Sequence, residues 1–303
     1  MTASPQGVPL DEVLSATWQD QADVGFLLSD PASADIEIRT FPDPVSGLAF
    51  RFRWLPHREV RSDVAELERR GILSPDRSEV PLFCDSRDPS GRHCFLCVDN
   101  IAVCHPLEEL VPMQLAGRDY AAGANFAWIG NDHYTVMPVD HVDQDFTPHV
   151  LDAMVDLHTQ TDGSYRVLYN GADAGATIPW HLHYQITTDR LPVEDLAPGA
   201  EDAYPTTLVR FTDVAAATGY VEEWQADDPE HHRLNILVAG PAGGAVIHVV
   251  PRDARKTHAP EKGLIGGFEV CGDLVYSEPD TRPQFDGASA DMARRIIAAV
   301  QPE

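Results

Sequence analysis

One stretch, Asn170 to Gln185, constrains this chain more than any other; it reads NGADAGATIPWHLHYQ. It closes on His181-Leu182-His183-Tyr184-Gln185. On a strand, side chains two apart share a face, whereas on a helix they do not. The alternation therefore predicts a strand with Leu182, Tyr184 and Ile186 toward a core. His181, His183 and Gln185 would then face a cleft. Upstream, Gly171, Ala172, Ala174, Gly175 and Ala176 form a small-residue loop whose backbone N–H groups can come close to an anion. A core strand with satisfied histidines is the plainer reading. Two histidines and a glutamine on one face, directly after such a loop, favour a site.

The flanking pattern alternates strands and helices. Pro9 to Gln19 reads as a short helix. Ile36 to Trp54 reads as two strands about the turn FPDPVSG, because Pro, Asp and Gly punctuate there. Arg51 and Arg53 share a face and read as a solvated edge rather than a phosphate contact. Arg58 to Gly71 reads as an amphipathic helix ending at the glycine. Pro81 to Cys84 precedes a polar turn. Ala124 to Ile129 and His133 to Val139 read as strands, Pro148 to Thr161 as a helix, and Tyr165 to Tyr169 as the strand leading into the organising stretch. After a Pro-rich, acidic linker (192–205), Thr206 to Thr212 reads as a strand and Asp213 to Asp227 as a helix. Arg233 to Val238 and Ala245 to Pro251 read as strands. Ala288 to Val300 closes the chain as an amphipathic helix.

Five cysteines, Cys84, Cys94, Cys97, Cys104 and Cys271, argue against a disulfide framework. The Cys94-x-x-Cys97 spacing is half of a zinc site; a redox pair and two buried structural thiols are the alternatives. Charge limits the partners. The 48 acidic residues against 22 basic ones, a net charge of −26, argue against binding to nucleic acid or anionic membrane, which need basic surface. Any phosphate site must be built locally from arginines, backbone N–H groups and a metal. No apolar run is long enough to span a bilayer, and MTASPQGVPLDEV does not look like a signal peptide, so the cytoplasm is the expected location. At 303 residues the chain can bury one large core or two smaller ones.

Asn170-Gly171, Gly175-Ala176-Thr177 and the His-x-His-x-Gln run together resemble the signature of the galactose-1-phosphate uridylyltransferase branch of the histidine triad (HIT-like) superfamily. That branch includes sugar-nucleotide and dinucleoside-polyphosphate phosphorylases. Ile178-Pro179-Trp180 makes the approach to His181 one residue longer than the transferase pattern. The resemblance implies an α+β fold of two fused HIT-like units, each an antiparallel sheet with packed helices. Residues 81–191 would be the catalytic half, with a zinc site. Residues 192–303 would be a degenerate second half without a His-x-His pair. Residues 1–80 would add strands and a helix packed on the core.

The resemblance also implies roles. Cys94, Cys97, His141 and His181 would hold a structural Zn2+, with His133 a rival to His141. His183 would be the nucleophile. Thr177, the Gly175 to Thr177 backbone and Gln185 would meet phosphoryl oxygens, and Gln185 stands where hydrolases of the superfamily carry a third His. Asn170, Gly171, Gly175, Ala176 and Asn125 would contact substrate, and Arg252, after Pro251, and Lys256 are further phosphate candidates. The implied activity is that of a nucleotidyltransferase or phosphorylase acting on a nucleoside diphosphate sugar or related nucleotide through a covalent nucleotidyl-histidine. A nucleotide hydrolase and a non-catalytic nucleotide binder on the same scaffold are the alternatives. An exposed sheet edge in each half suits a homodimer.

Overall fold

The computed structural model describes residues 7–75 and 94–302. Pro81 to Cys84, the polar turn expected after them and the residues just before Cys94 lie outside them. Helices are α1 (Leu10–Asp23), α2 (Val64–Arg69), α3 (Val98–Cys104), α4 (Pro148–Gln160), α5 (Val214–Asp227), α6 (Gly267–Val270), α7 (Arg282–Asp286) and α8 (Ala290–Ala298). Strands are β1 (Glu37–Pro42), β2 (Ala49–Trp54), β3 (Leu110–Leu115), β4 (Arg118–Ala124), β5 (Tyr134–Pro138), β6 (Arg166–Asn170), β7 (Tyr184–Thr187), β8 (Val209–Phe211), β9 (His232–Ala239), β10 (Val246–Asp253), β11 (His258–Ala259), β12 (Gly263–Leu264) and β13 (Asp273–Tyr276).

Eight strands form one antiparallel sheet in the order β3-β4-β5-β7-β6-β9-β10-β8. The first five come from the half that holds the His-x-His run and the last three from the second half. Pairing of β6 with β9 joins them, from Val167 opposite Val238 to Asn170 opposite Asn235. The architecture is α+β, with two sets of strands joined edge to edge into one sheet.

Strand alternation sets the two faces. Tyr134, Val136, Val167, Tyr169, Tyr184, Ile186, Ile236 and Val238 point into a core shared with Leu14 and Trp18 of α1, Leu151 and Met154 of α4, and Val221 of α5. The opposite face presents Leu168, Leu237 and Val250 to a second core with Phe268, Phe285, Met292, Ile296 and Val300. Helix ends are capped by short polar side chains: Asp213 accepts the Ala216 N–H before α5, and Ser289 accepts the Met292 N–H before α8. Among the described residues, no helix is long and apolar enough to cross a membrane.

Several expected elements are displaced. The helix expected over Arg58 to Gly71 is a 3-10 turn, Pro56–Ser62, followed by α2. Asp63 separates them because its extended backbone and carboxylate cap α2 through the Glu66 N–H at 3.1 Å. The strand expected over Ala124 to Ile129 lies upstream as β4, and 125–133 is a loop. The 192–205 linker is packed, with Val193, Leu196 and Tyr204 buried in the second core. Arg51 and Arg53 are not a solvated edge: β2 is flanked by β1 and β13, and both arginines bind Asp273, at 2.6 and 2.9 Å. Neither the α6 turn nor β13 had a sequence signal.

Candidate metal centre and nucleotide cleft

Cys94 and Cys97 sit just ahead of α3, where Asn100 holds the Cys94 carbonyl at 2.6 Å. His141 follows β5. His181 lies on a bend, so the expected strand begins only at Tyr184. The alternation still holds before the ladder starts: Leu182 and Tyr184 enter the first core. A backbone bond from Leu182 N–H to the Val142 carbonyl, 2.7 Å, ties the two histidine segments together.

These segments converge on four donor atoms lying within 4.8 Å of one another: the sulfurs of Cys94 and Cys97 and ring nitrogens of His141 and His181. Cys94 Sγ is 3.1 Å from His181 Nδ1; Cys97 Sγ is 3.4 Å from His141 Nδ1 and 3.7 Å from His181 Nδ1. Zinc–ligand lengths of about 2.3 Å for sulfur and about 2.0 Å for nitrogen place such pairs about 3.6 Å apart in a tetrahedron. The observed separations bracket that value, so the four residues fit a metal ion. The Cys94 thiol is drawn down to about 4 by its hydrogen bond with Cys97 and by His181, against the effect of burial, which favours the thiolate a metal needs. His133 is outside the cluster, so His141 fills the third position.

Two residues past His181, His183 is 4 % exposed. Its Nδ1 donates to the His181 carbonyl at 2.9 Å, which leaves the lone pair on Nε2. Burial pushes its titration down to about 4, keeping the ring neutral near pH 7. Gln144, which carried no sequence signal, clamps this segment. Its Oε1 accepts the His183 N–H at 2.8 Å, and its Nε2 donates to the carbonyls of Asn170 at 2.7 Å and His183 at 3.2 Å.

The small-residue loop is held just as tightly. Asn235 of β9 donates to Asn170 Oδ1 at 2.8 Å and to the Ala174 carbonyl at 2.7 Å. Gly175 has φ +92, and a Cβ there would fall 2.4 Å from Gly266 Cα and from the Ile265 carbonyl oxygen. Only glycine allows that approach of the two halves. Arg252 is buried inside β10, not on a turn: it binds Asn235 Oδ1 and the carbonyls of Ala174 and Ile265, and it braces the loop from behind. Lys256 is at the surface, 3.2 Å from the Gln301 carbonyl, and does not line the cleft.

A cleft of about 300 Å3 opens over the site face of the sheet. Asn125, Asn170, Gly175, Thr177 and Gln185 line it as expected; His183, Gly171 and Ala176 are not among its lining residues. Arg58 and Arg61 enter it from the 3-10 turn, and Lys262, Phe268 and Glu269 from the second half. His57 fixes that turn by stacking on Trp128 at 4.3 Å and by donating to the Trp128 carbonyl at 2.9 Å. Lys262 is paired with Glu269 and Arg61 with Glu278, whereas Arg58 has no ion pair among the described residues. Burial, then Arg61, presses Arg58 down to about 10, so it remains a cation. Local positive charge thus lines a cleft in an acidic chain.

A family model described as a domain of unknown function (DUF4922) matches residues 78–188. No protein of curated function matches the chain. Crystal structures of yeast Ap4A phosphorylase Apa2 are similar over nearly the whole length. The complex with Ap4A superposes with a TM-score of 0.64 at 16 % identity, covering 99 % of this chain and 98 % of that one. The complex with AMP gives 0.60 at 16 % identity, covering 96 % of each. Over nearly its whole length the chain shares the fold of these phosphorylase structures.

Proposed function

We propose that this chain is a nucleotidyltransferase or phosphorylase that cleaves a nucleoside diphosphate sugar or a related nucleotide through a covalent nucleotidyl-histidine. The observation that carries the reading is the orientation of His183. A neutral imidazole with its Nδ1 proton held by a carbonyl has a nucleophilic Nε2. In the first step Nε2 bonds the α-phosphorus and the bond from phosphorus to the leaving oxygen breaks, releasing that group as an anion. In the second step an acceptor oxygen attacks the same phosphorus in line, and the His183 bond breaks. Charge on the phosphoryl oxygens is met by the Gly175 to Thr177 backbone, the Thr177 hydroxyl, the Gln185 amide and Arg58, preset in place. Gln185 offers no second imidazole for proton transfer to or from water, which favours phosphate or a phosphorylated sugar as acceptor. Zinc is the metal that suits two thiolates and two imidazoles in a tetrahedron, and its part is structural: it fixes the segment that presents His183.

The reading is tested by incubating the protein with a panel of labelled nucleoside diphosphate sugars, nucleoside triphosphates and dinucleoside polyphosphates. Intact-mass and peptide analysis should find one nucleotidyl group on His183, discharged when phosphate or a sugar phosphate is added. Discharge by water alone identifies a hydrolase. Binding without an adduct identifies a nucleotide-binding protein with no covalent step.

A further inference from the structure

His133 takes no part in the chemistry above, yet it is fully buried in the wall of the cleft. Its Nδ1 accepts the Ile129 N–H at 3.0 Å. A neutral imidazole that accepts at Nδ1 carries its proton on Nε2. Burial, then Arg58 and Arg53, keeps the ring neutral, with its titration pushed down to about 3 against the opposing effect of Gln185. The ring is held by Phe268, edge-on at a centroid distance of 5.6 Å. Its Nε2 makes no well-formed hydrogen bond among the described residues, although the Gln185 side chain lies near enough to act on the ring. An enclosed donor without an acceptor is costly, and native proteins keep few of them.

We infer that His133 is a ligand-positioning residue whose Nε2–H donates to a phosphoryl oxygen of the nucleotide in the cleft. The acceptor class follows from what surrounds the ring. Arg58 is the cation that acts on it most strongly and also lines the cleft, so an acceptor within reach of both is anionic. With Nδ1 committed to Ile129, the free nitrogen donates only. It therefore takes an acceptor oxygen and disfavours a group that can only donate, such as an ammonium, in the same place. Fixed tautomer, fixed ring and missing partner together make a preset contact rather than a titrating one. This inference rests on the nucleotide reading of the cleft.

The test compares two substitutions with opposite effects. In His133→Asn the side-chain oxygen stands near the Nδ1 position and keeps the Ile129 contact, but the Nε2 donor is gone. In His133→Gln the amide nitrogen stands near Nε2, but the Ile129 contact is gone. Calorimetric titration with ADP should show His133→Asn weakened roughly tenfold or more, as expected for a lost bond to a charged group, with His133→Gln much less affected. A purely structural His133 gives the reverse order, with the larger loss of melting temperature in His133→Gln, and overturns the inference. On the wild type, 15N-histidine NMR should find the His133 proton on Nε2 and a shift of that resonance when ADP is added. An unmoved resonance in an ADP-saturated protein overturns the inference even if neither variant folds. A wild type that binds no nucleotide overturns the reading of the cleft and this inference with it.

Discussion

His183 donates its Nδ1 proton to the backbone carbonyl of His181, 2.9 Å away, so the nucleophilic candidate is oriented by a residue of the metal cluster. The cluster fixes where the His181 peptide lies, and that peptide fixes which His183 nitrogen carries the lone pair. A metal held by the cluster would thus be coupled to the proposed nucleophile through one hydrogen bond, with no direct contact needed.

Replacing His183 with glycine removes the nucleophile without touching a cluster ligand. Turnover should fall by roughly a thousandfold or more, and the nucleotidylated protein should disappear. Metal content by mass spectrometry and the melting curve should stay close to wild type. A His183→Gly protein that turns over normally removes the nucleophile assignment.

Metal loss should act on both fold and activity. The purified chain is expected to hold about one zinc per molecule, and Cys97→Ser should retain far less. Because a structural ion contributes its binding free energy to the folded state, the variant should melt several degrees lower, and a strong chelator should lower the wild type in the same way. Activity should fall with metal content. Unchanged melting with full loss of zinc separates the cluster from the fold.

Gln144→Ala leaves the buried His183 N–H and the Asn170 carbonyl without their partner. Orphaned buried groups of this kind cost about 1–3 kcal/mol each when nothing replaces the bond, and water entering the gap recovers part of that. A loss of about 2 kcal/mol in denaturant unfolding is expected, with a fall in kcat larger than any change in KM, because the His183 ring loses its fixed aim. Equal loss in both constants points to a general loosening of the cleft.

What the chain order revealed, and what it hid, has a physical pattern. Cys94 and Cys97 were legible from their spacing, His141 and His181 only through the family resemblance, and Leu182 with Tyr184 because alternation marks a core face. Helices α4, α5 and α8 carried their own periodicity. Gln144 and Asn235 were not legible: each works by bonding a distant backbone atom, which leaves no spacing to recognise. The strand expected to end at Pro251 runs on through Arg252, because the ladder to β9 continues to Asp253. Arg53 looked solvent-facing because β13, the strand bringing Asp273 to it, lies some two hundred residues downstream (|i−j| 220). The cleft itself is assembled from four separate parts of the chain, so only its Asn170 to Gln185 wall was visible in one stretch.

Acid should weaken the fold well before the carboxylates titrate, and His105 shows why. The ring is 6 % exposed, donates Nδ1 to the Ile72 carbonyl at 3.1 Å and faces Phe26 edge-on. Burial pushes its titration from 6.5 down to about 4, only partly offset by the Ile72 bond. Between those two values the unfolded chain binds a proton that the folded chain refuses, so stability falls as pH drops from about 6.5 toward about 4 and changes little further on this account below that. At pH 5 the single site contributes a loss of roughly 2 kcal/mol relative to pH 7.5. His57 and His248, each also pressed down to about 4 by burial, act in the same direction. Protonation of the metal ligands would add its own acid sensitivity, so the informative quantity is a difference between proteins. Unfolding free energies of the wild type and His105→Gln, measured in urea at pH 7.5, 6 and 5, should diverge in slope, with the variant flatter by about 2 kcal/mol over the range. Parallel curves would mean that the folded chain accommodates a protonated His105, and that the Ile72 carbonyl outweighs the cost of burying the charge.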